Sequence, residues 1–223
     1  MAQVLVIGAS RGIGRELARQ YIDNGDRVIA TVRRAEDREA LLALGAAAVH
    51  LVDVGQPQSV SGLAWLLDGE KIDYAWYVAG VLDHQRSINP PTQPEFDRVM
   101  HTNVLGAMQV LPQVAPMVAA AGGKFAFISS SMAQIGHVDD DHSWLYRCSK
   151  AALNMAVAAA CHGWPRAILL TMDPGWVRTA MGGSDAPLSV EDSVQGMRAT
   201  LAGATAADRG QLLHHDGRRA DSW

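Results

Sequence analysis

Short, nearly continuous apolar runs alternate with longer stretches of helical periodicity along most of the chain. The runs at 3–7, 27–32, 47–52, 72–78, 124–129, 167–172 and 211–214 read as strands. Several are apolar at almost every position, as strands covered on both faces should be. Helical stretches fill the gaps at 12–24, 35–44, 57–67, 94–121, 143–162 and 189–201, and 94–121 is expected to break. Gly25 and Gly45 stand where left-handed helix ends belong. Ser189-Val190-Glu191-Asp192 reads as a capping box with Asp in place of Glu. Such alternation implies right-handed βαβ crossovers. The predicted fold is α/β, a doubly wound parallel sheet of about seven strands with helices on both faces. Nothing resembles a repeat or a linker, so 1–223 reads as one domain, with 182–188 as a mobile loop.

Composition changes this picture little. Apolar residues make up 48% and charged residues 19%, an ordinary globular balance. The net charge of -4 gives no reason to expect nucleic acid or an anionic membrane as a partner. Residues 1–7 are apolar without a basic leader and run into a glycine turn, so they read as a strand and not a signal peptide. No apolar run is expected to reach the roughly 18–20 residues that span a bilayer. Cys148 and Cys161 form no CxxC pair and read as small core thiols, not a disulfide or a metal site. These features lead us to expect a cytoplasmic protein without membrane segments.

The candidate chemistry begins at Gly8-Ala9-Ser10-Arg11-Gly12-Ile13-Gly14, which leaves the first strand and opens the first helix. Glycines there permit a tight turn, and the helix N-terminus offers free N–H groups to a pyrophosphate. The spacing differs from G-x-G-x-x-G, and no Gly-Lys-Ser/Thr ends the turn, which excludes a P-loop. The second strand exits as Val32-Arg33-Arg34 with no acid before Glu36. An acid there would hold the ribose of NAD(H), whereas cations at Arg11 and Arg33 suit the 2′-phosphate of NADP(H). NADP(H) is therefore the preferred cofactor, with NAD(H) possible. Downstream, Tyr146 and Lys150 lie four apart on a predicted helix and share a face. A nearby cation lowers the proton affinity of a phenol, which fits the pair for proton transfer beside hydride transfer. Ile128-Ser129-Ser130-Ser131 ends a buried strand, where a hydroxyl could steady a carbonyl oxygen. His137 and His142 fall between these serines and Tyr146 as possible pocket walls.

Together with Asp53, Ala79-Gly80, Asn103 and Pro174-Gly175-Trp176-Val177-Arg178-Thr179, these motifs resemble the short-chain dehydrogenase/reductase family over almost the whole chain. The stretches 129–132, 146–154, 173–183 and 216–223 are most similar to its C-factor and sniffer-like carbonyl reductases. The resemblance implies a single Rossmann-like domain. It makes Tyr146 the acid in reduction and Lys150 the residue that lowers its pKa and binds the nicotinamide ribose. It makes Ser130 the residue that orients substrate, with Ser129 and Ser131 as rivals, and Asn103 the support of a relay water. It places Gly8, Ser10, Arg11, Gly12, Ile13, Gly14 and Arg33 along the cofactor, and Asp53 and Val54 at adenine. Ala79, Gly80, Pro174, Gly175, Val177 and Thr179 fall along the remainder. The family often shows Asn-Asn-Ala-Gly where this chain has Tyr77-Val78-Ala79-Gly80, and Tyr77 reads as a packing residue.

The expected activity is NADPH-dependent reduction of a ketone or aldehyde to an alcohol, reversible in direction. A signalling or redox-sensing protein that binds NADP(H) with little turnover is one alternative. A nucleotide-sugar epimerase or dehydratase is a second, disfavoured by the short C-terminal region. The Ala-rich 151–160 stretch suits the interface from which this family commonly builds a homodimer or homotetramer.

Overall fold

In a computed structural model describing residues 1–222, all strands form one parallel sheet. Trp223, the end of the resembling 216–223 stretch, lies outside the described residues. The strands are β1 (Gln3–Ile7), β2 (Arg27–Val32), β3 (Ala48–Leu51), β4 (Tyr74–Tyr77), β5 (Lys124–Ile128), β6 (Ile168–Asp173) and β7 (Leu212–His214), in the order β3-β2-β1-β4-β5-β6-β7. The order reverses beside β1, between β2 and β4, and a crevice opens at the C-terminal ends of the strands there. Strand predictions err only at their ends, by up to two residues.

Successive strand residues face opposite helix layers. Val4 and Val6 pack with Leu17, Ala18 and Met197, beneath α1 (Gly12–Asp23), α2 (Ala35–Leu44) and α8 (Val190–Gly203). Leu5 and Ile7 pack with Val110, Val114 and Leu153, beneath α6 (Gly106–Ala121) and α7 (Trp144–Ala160). Each fully buried large side chain contributes about 1.5–3 kcal/mol, so both faces of the sheet are committed to core. The site is left to the strand ends.

Several local readings need correction, among them Cys148, which lies exposed on the outer face of α7 rather than in the core, whereas Cys161 is buried. The predicted 57–67 helix is two short pieces, α3 (Pro57–Val60) and α4 (Leu63–Leu66), parted at Ser61-Gly62. The Ser61 hydroxyl donates to the Gln58 carbonyl at 2.8 Å, a local bond that competes with helix continuation. The expected break in 94–121 is instead a wide π turn, His101–Leu105, joining α5 (Gln93–Met100) to α6. The whole Gln93–Ala121 run is long and apolar enough to cross a membrane by length and composition, contrary to expectation. One side of it fills the core through Val110, Leu111, Val114 and Val118. At α8 the Ser189 hydroxyl accepts from Asp192 N–H at 3.0 Å, but the Asp192 carboxylate accepts from that hydroxyl at 2.6 Å rather than from the Ser189 backbone. Full boxes lie at α5, between Thr92 and Glu95, and at Thr205, where the Asp208 carboxylate accepts from Thr205 N–H at 2.7 Å.

Candidate active site

The glycine turn is built for backbone contact. Gly8 has φ +90°, and a Cβ on it would lie 2.9 Å from Ala79 N. A Cβ on Gly14 would lie 2.2 Å from Gly8 O, so only glycine lets α1 start this close to β1. The Gly8 N–H donates to Thr31 Oγ1 at 3.1 Å, and Ala9 N–H to Thr31 O at 2.9 Å. Thr31 thus pins the turn, which sequence reasoning missed because its hydroxyl sits in an apolar run. No side chain caps α1 and its first turn holds no acid. Its N-terminus therefore keeps free donors and a positive end for an anion.

One cleft of about 250 Å³ runs along the strand ends. It is lined by Gly8, Ser10, Arg11, Gly12, Ile13, Arg33, Asp53, Val54, Ala79, Gly80, Tyr146, Lys150, Pro174 and Thr179. Gly14 lies beneath the turn, and Val177 is buried behind the wall, paired with Leu188. Gly175 packs on His215 and Leu188. Arg34 pairs with Asp37 and Glu36, whereas among the described residues Arg11 and Arg33 have no carboxylate partner. Both are exposed beside the cleft. The Asp53 carboxylate accepts from Gly55 N–H at 3.0 Å, which shapes the neighbouring wall.

At the other end α7 brings Tyr146 and Lys150 inward. Its N-terminus is capped from a distance: Asp83 Oδ1 accepts from Tyr146 N–H at 2.7 Å, and the Ser143 hydroxyl donates to Asp83 O at 2.7 Å. Ser143 itself sits at φ 53° and makes no side-chain cap. Asp83 was not singled out in the sequence, because a cap from 63 residues away has no local signature.

Lys150 is buried, donates from Nζ to Ile128 O at 2.7 Å, and lies 5.5 Å from the centre of the Tyr146 ring. Burial pushes its ammonium down to about 8. The phenol of Tyr146 is raised above its ordinary value, first by burial, with the Ser130 hydroxyl pulling it back and Asp173 raising it further.

The serine run separates cleanly. Ser129 is buried and donates to Asn154 Oδ1 at 2.7 Å, the Ser130 hydroxyl accepts from Met132 N–H at 3.1 Å, and Ser131 is exposed. Asn103, fully buried on the π turn, accepts from Val81 N–H at 2.8 Å and donates to Val81 O and Ser149 Oγ at 2.9 Å each. Its side chain holds the turn after Gly80. Tyr77 is buried against Phe127 at 5.8 Å, as expected of a packing residue, and also donates to Thr102 O at 2.7 Å.

On the substrate side, loop 81–91 is clasped to the approach to α7. Arg86 pairs with Asp141 at 2.8 Å, and Ser143 N–H donates to Gln85 O at 2.8 Å. His137 and His142 are mostly exposed and face Asp221 and Asp140, not the cleft. The 182–188 segment is more anchored than expected. Trp176 Nε1 donates to Gly182 O at 2.8 Å, Arg178 Nη1 to Ala186 O and Pro187 O at 3.0 and 2.8 Å, and Leu188 pairs with Val177.

A family model for short chain dehydrogenases matches residues 2–187. The 1-hydroxy-2-glutathionyl-2-methyl-3-butene dehydrogenase of Rhodococcus sp. (strain AD45) is 30% identical, covering 97% of this chain and 98% of its own. A short-chain dehydrogenase/reductase from Burkholderia multivorans with bound NADP superposes with a TM-score of 0.87 at 30% identity, over 100% and 99% of the two chains. The NADPH-bound carbonyl reductase from chicken fatty liver gives 0.89 at 26%, also over 100% and 99%. The glycine cradle, the uncapped helix start and the two unpaired arginines fit the cofactor held in both structures. The chain belongs to the short-chain dehydrogenase/reductase family and is an NAD(P)-dependent oxidoreductase that binds NADP(H).

Proposed function

We propose that the protein reduces a ketone or aldehyde to an alcohol with NADPH, and runs in reverse with NADP⁺. The observation that carries this reading is that Tyr146 and buried Lys150 line the same cleft, with Lys150 Nζ 5.5 Å from the centre of the phenol ring. Bound nicotinamide supplies the hydride. Ser130 and the Tyr146 hydroxyl hold the carbonyl oxygen, and the phenol passes its proton to that oxygen as charge grows there. Lys150 lies where the ribose next to the nicotinamide would run, and Asn103 and Gly80 position it: a Cβ on Gly80 would meet Lys150 Nζ at 3.5 Å and Asn103 Oδ1 at 3.6 Å. Arg11 and Arg33 take the 2′-phosphate, and Asp53 and Val54 border adenine. The functional unit is a homodimer or homotetramer joined through α6 and α7.

Steady-state turnover with a panel of ketones, aldehydes and the matching alcohols tests this reading. Reduction of at least one carbonyl, lost in Tyr146→Phe, supports it. Tight NADPH binding without turnover on any member would replace it with the signalling or sensing role.

A further inference from the structure

Alternation along β5 sends Phe125 and Phe127 into the layer under α6 and α7, and Ala126 and Ile128 into the opposite layer. Ser129, the next residue, therefore points to the α7 side. On α7, Tyr146, Lys150 and Asn154 follow one another at steps of four, so Asn154 extends the Tyr146/Lys150 stripe by one turn. That stripe meets the end of β5 twice. Lys150 Nζ donates to Ile128 O at 2.7 Å, and the Ser129 hydroxyl donates to Asn154 Oδ1 at 2.7 Å. Ser129 and Asn154 are 1% and 2% exposed, so their bond is shielded from water. The Ser129 N–H is itself fixed to Met172 O at 2.8 Å. From there the chain turns at once: the Ser130 hydroxyl accepts from Met132 N–H at 3.1 Å, and the Ser130 carbonyl from Ala133 N–H at 3.0 Å. Ser130 is thus held between an anchored Ser129 and a tight turn.

We propose that Asn154 is a positioning residue: through Ser129 it sets the distance between the Ser130 and Tyr146 hydroxyls. The proposal rests on the carbonyl-reductase reading, in which these two hydroxyls grip one oxygen. Each must then lie within about 2.6–3.2 Å of that oxygen, and a misplacement of about 1 Å can cost about 10²-fold in rate. Of the two side-chain ties between the end of β5 and α7, that of Lys150 has a second duty, because the same reading turns its ammonium towards the cofactor ribose. The Ser129–Asn154 bond has no such duty and keeps the register when the cofactor arrives. Asn154 stands outside the cleft lining, so it acts on the reaction only through Ser129. The bond is directional and neutral, which fixes a register without setting another charge near the phenol.

Thr and Val have nearly the same shape and differ in the hydroxyl, so Ser129→Thr against Ser129→Val reads the bond alone. Variants that bind NADPH are compared for kcat, for the isotope effect with NADPH deuterated at the transferred hydrogen, and for amide exchange at Met132 and Ala133. Ser129→Thr should keep turnover and exchange near wild type. Ser129→Val and Asn154→Leu should each lose about 10²-fold in kcat with NADPH affinity nearly unchanged. Their isotope effect should be no smaller than that of wild type, as a slowed chemical step requires. Exchange at Met132 and Ala133 should quicken in both by about threefold or more. Joining Ser129→Val to Asn154→Leu replaces both buried polar groups by apolar ones of similar shape, so stability to denaturant should return while turnover does not. A merely structural bond predicts the opposite, with turnover per cofactor-binding site unchanged in the single variants or restored along with stability in the double one. Either result overturns the proposal, and if the added methyl alone silences Ser129→Thr, Asn154→Leu decides. Full turnover in folded Asn154→Leu would remove Asn154 and leave carbonyl reduction standing. If wild type reduces no carbonyl, that reading falls and exchange judges the tie: quickening keeps Asn154 as the residue that holds Ser130, and unchanged exchange removes it.

Discussion

Tyr146 carries its role through where it is buried as much as through what it is. A phenol raised by burial holds its proton at neutral pH and donates it only to an oxygen that is becoming negative, which suits reduction. Tyr146→Phe should lower turnover by about 10²–10⁴-fold with NADPH affinity nearly unchanged, as measured by kcat and by fluorescence titration. Lys150 makes a different demand. Its ammonium titrates near 8 in the folded chain against 10.5 ordinarily, so between those values the unfolded chain binds more protons and folded stability rises with pH. Denaturant unfolding of Lys150→Met should lack that rise. Its advantage over wild type, on the order of 3 kcal/mol below pH 8, should fade towards pH 10.5. At the cofactor's far end, a charged hydrogen bond is worth about 1.5–3 kcal/mol, so NADPH should bind at least about tenfold more tightly than NADH. Replacing Arg11 and Arg33 together should remove most of that margin, and equal dissociation constants in wild type would refute their assignment.

At the scale of elements, α7 depends on a cap supplied by another part of the chain. Asp83→Ala should cost about 0.5–2 kcal/mol in denaturant unfolding, as lost caps do. It should also lower kcat, because the released N–H belongs to Tyr146 itself. The 182–188 segment, tied by Trp176, Arg178, Val177 and the Gly183 N–H bond to Thr179 O at 2.9 Å, leaves only 184–185 without such ties. Hydrogen exchange should slow there, and not along the whole segment, when NADPH and a substrate analogue bind. These details mark where sequence reading stopped. Strands and long helices were legible because periodicity and buried apolar runs are local signals, and the glycine turn because its backbone geometry admits few residues. The Asp83 cap, the Thr31 contact and the Ser129–Asn154 bond join residues 63, 23 and 25 positions apart, and no window along the chain contains both partners. The break expected in the long helix is a π turn at Asn103, whose buried amide bonds the Val81 backbone, and a contact of that kind gave the sequence no local signal of where the irregularity falls.

For the whole molecule, α6 and α7 leave an apolar groove between Met108, Leu111, Ala156 and Ala160, flanked by exposed Met155. If a second copy covers it, light scattering should report a dimer or tetramer, and Ala156→Arg should give a monomer that still binds NADPH. The layout of the sheet also has a consequence for how the chain is made. β1, synthesised before β2 and β4, finishes between them, and the register joins Val4–Ile7 to Tyr74–Tyr77. On the ribosome, β1, β2 and β3 can pair as soon as they emerge, but the other side of β1 has no neighbour until residue 77 is out. Through that interval an apolar strand offers unpaired N–H and C=O groups to any neighbouring nascent chain. After β4 docks, each later strand takes over the open side in turn, until β7. The hazard is thus greatest early in translation and moves outward with the growing sheet. Recovery of active protein should follow translation speed and chaperone supply while residues 1–77 are being made more closely than the stability of the finished fold.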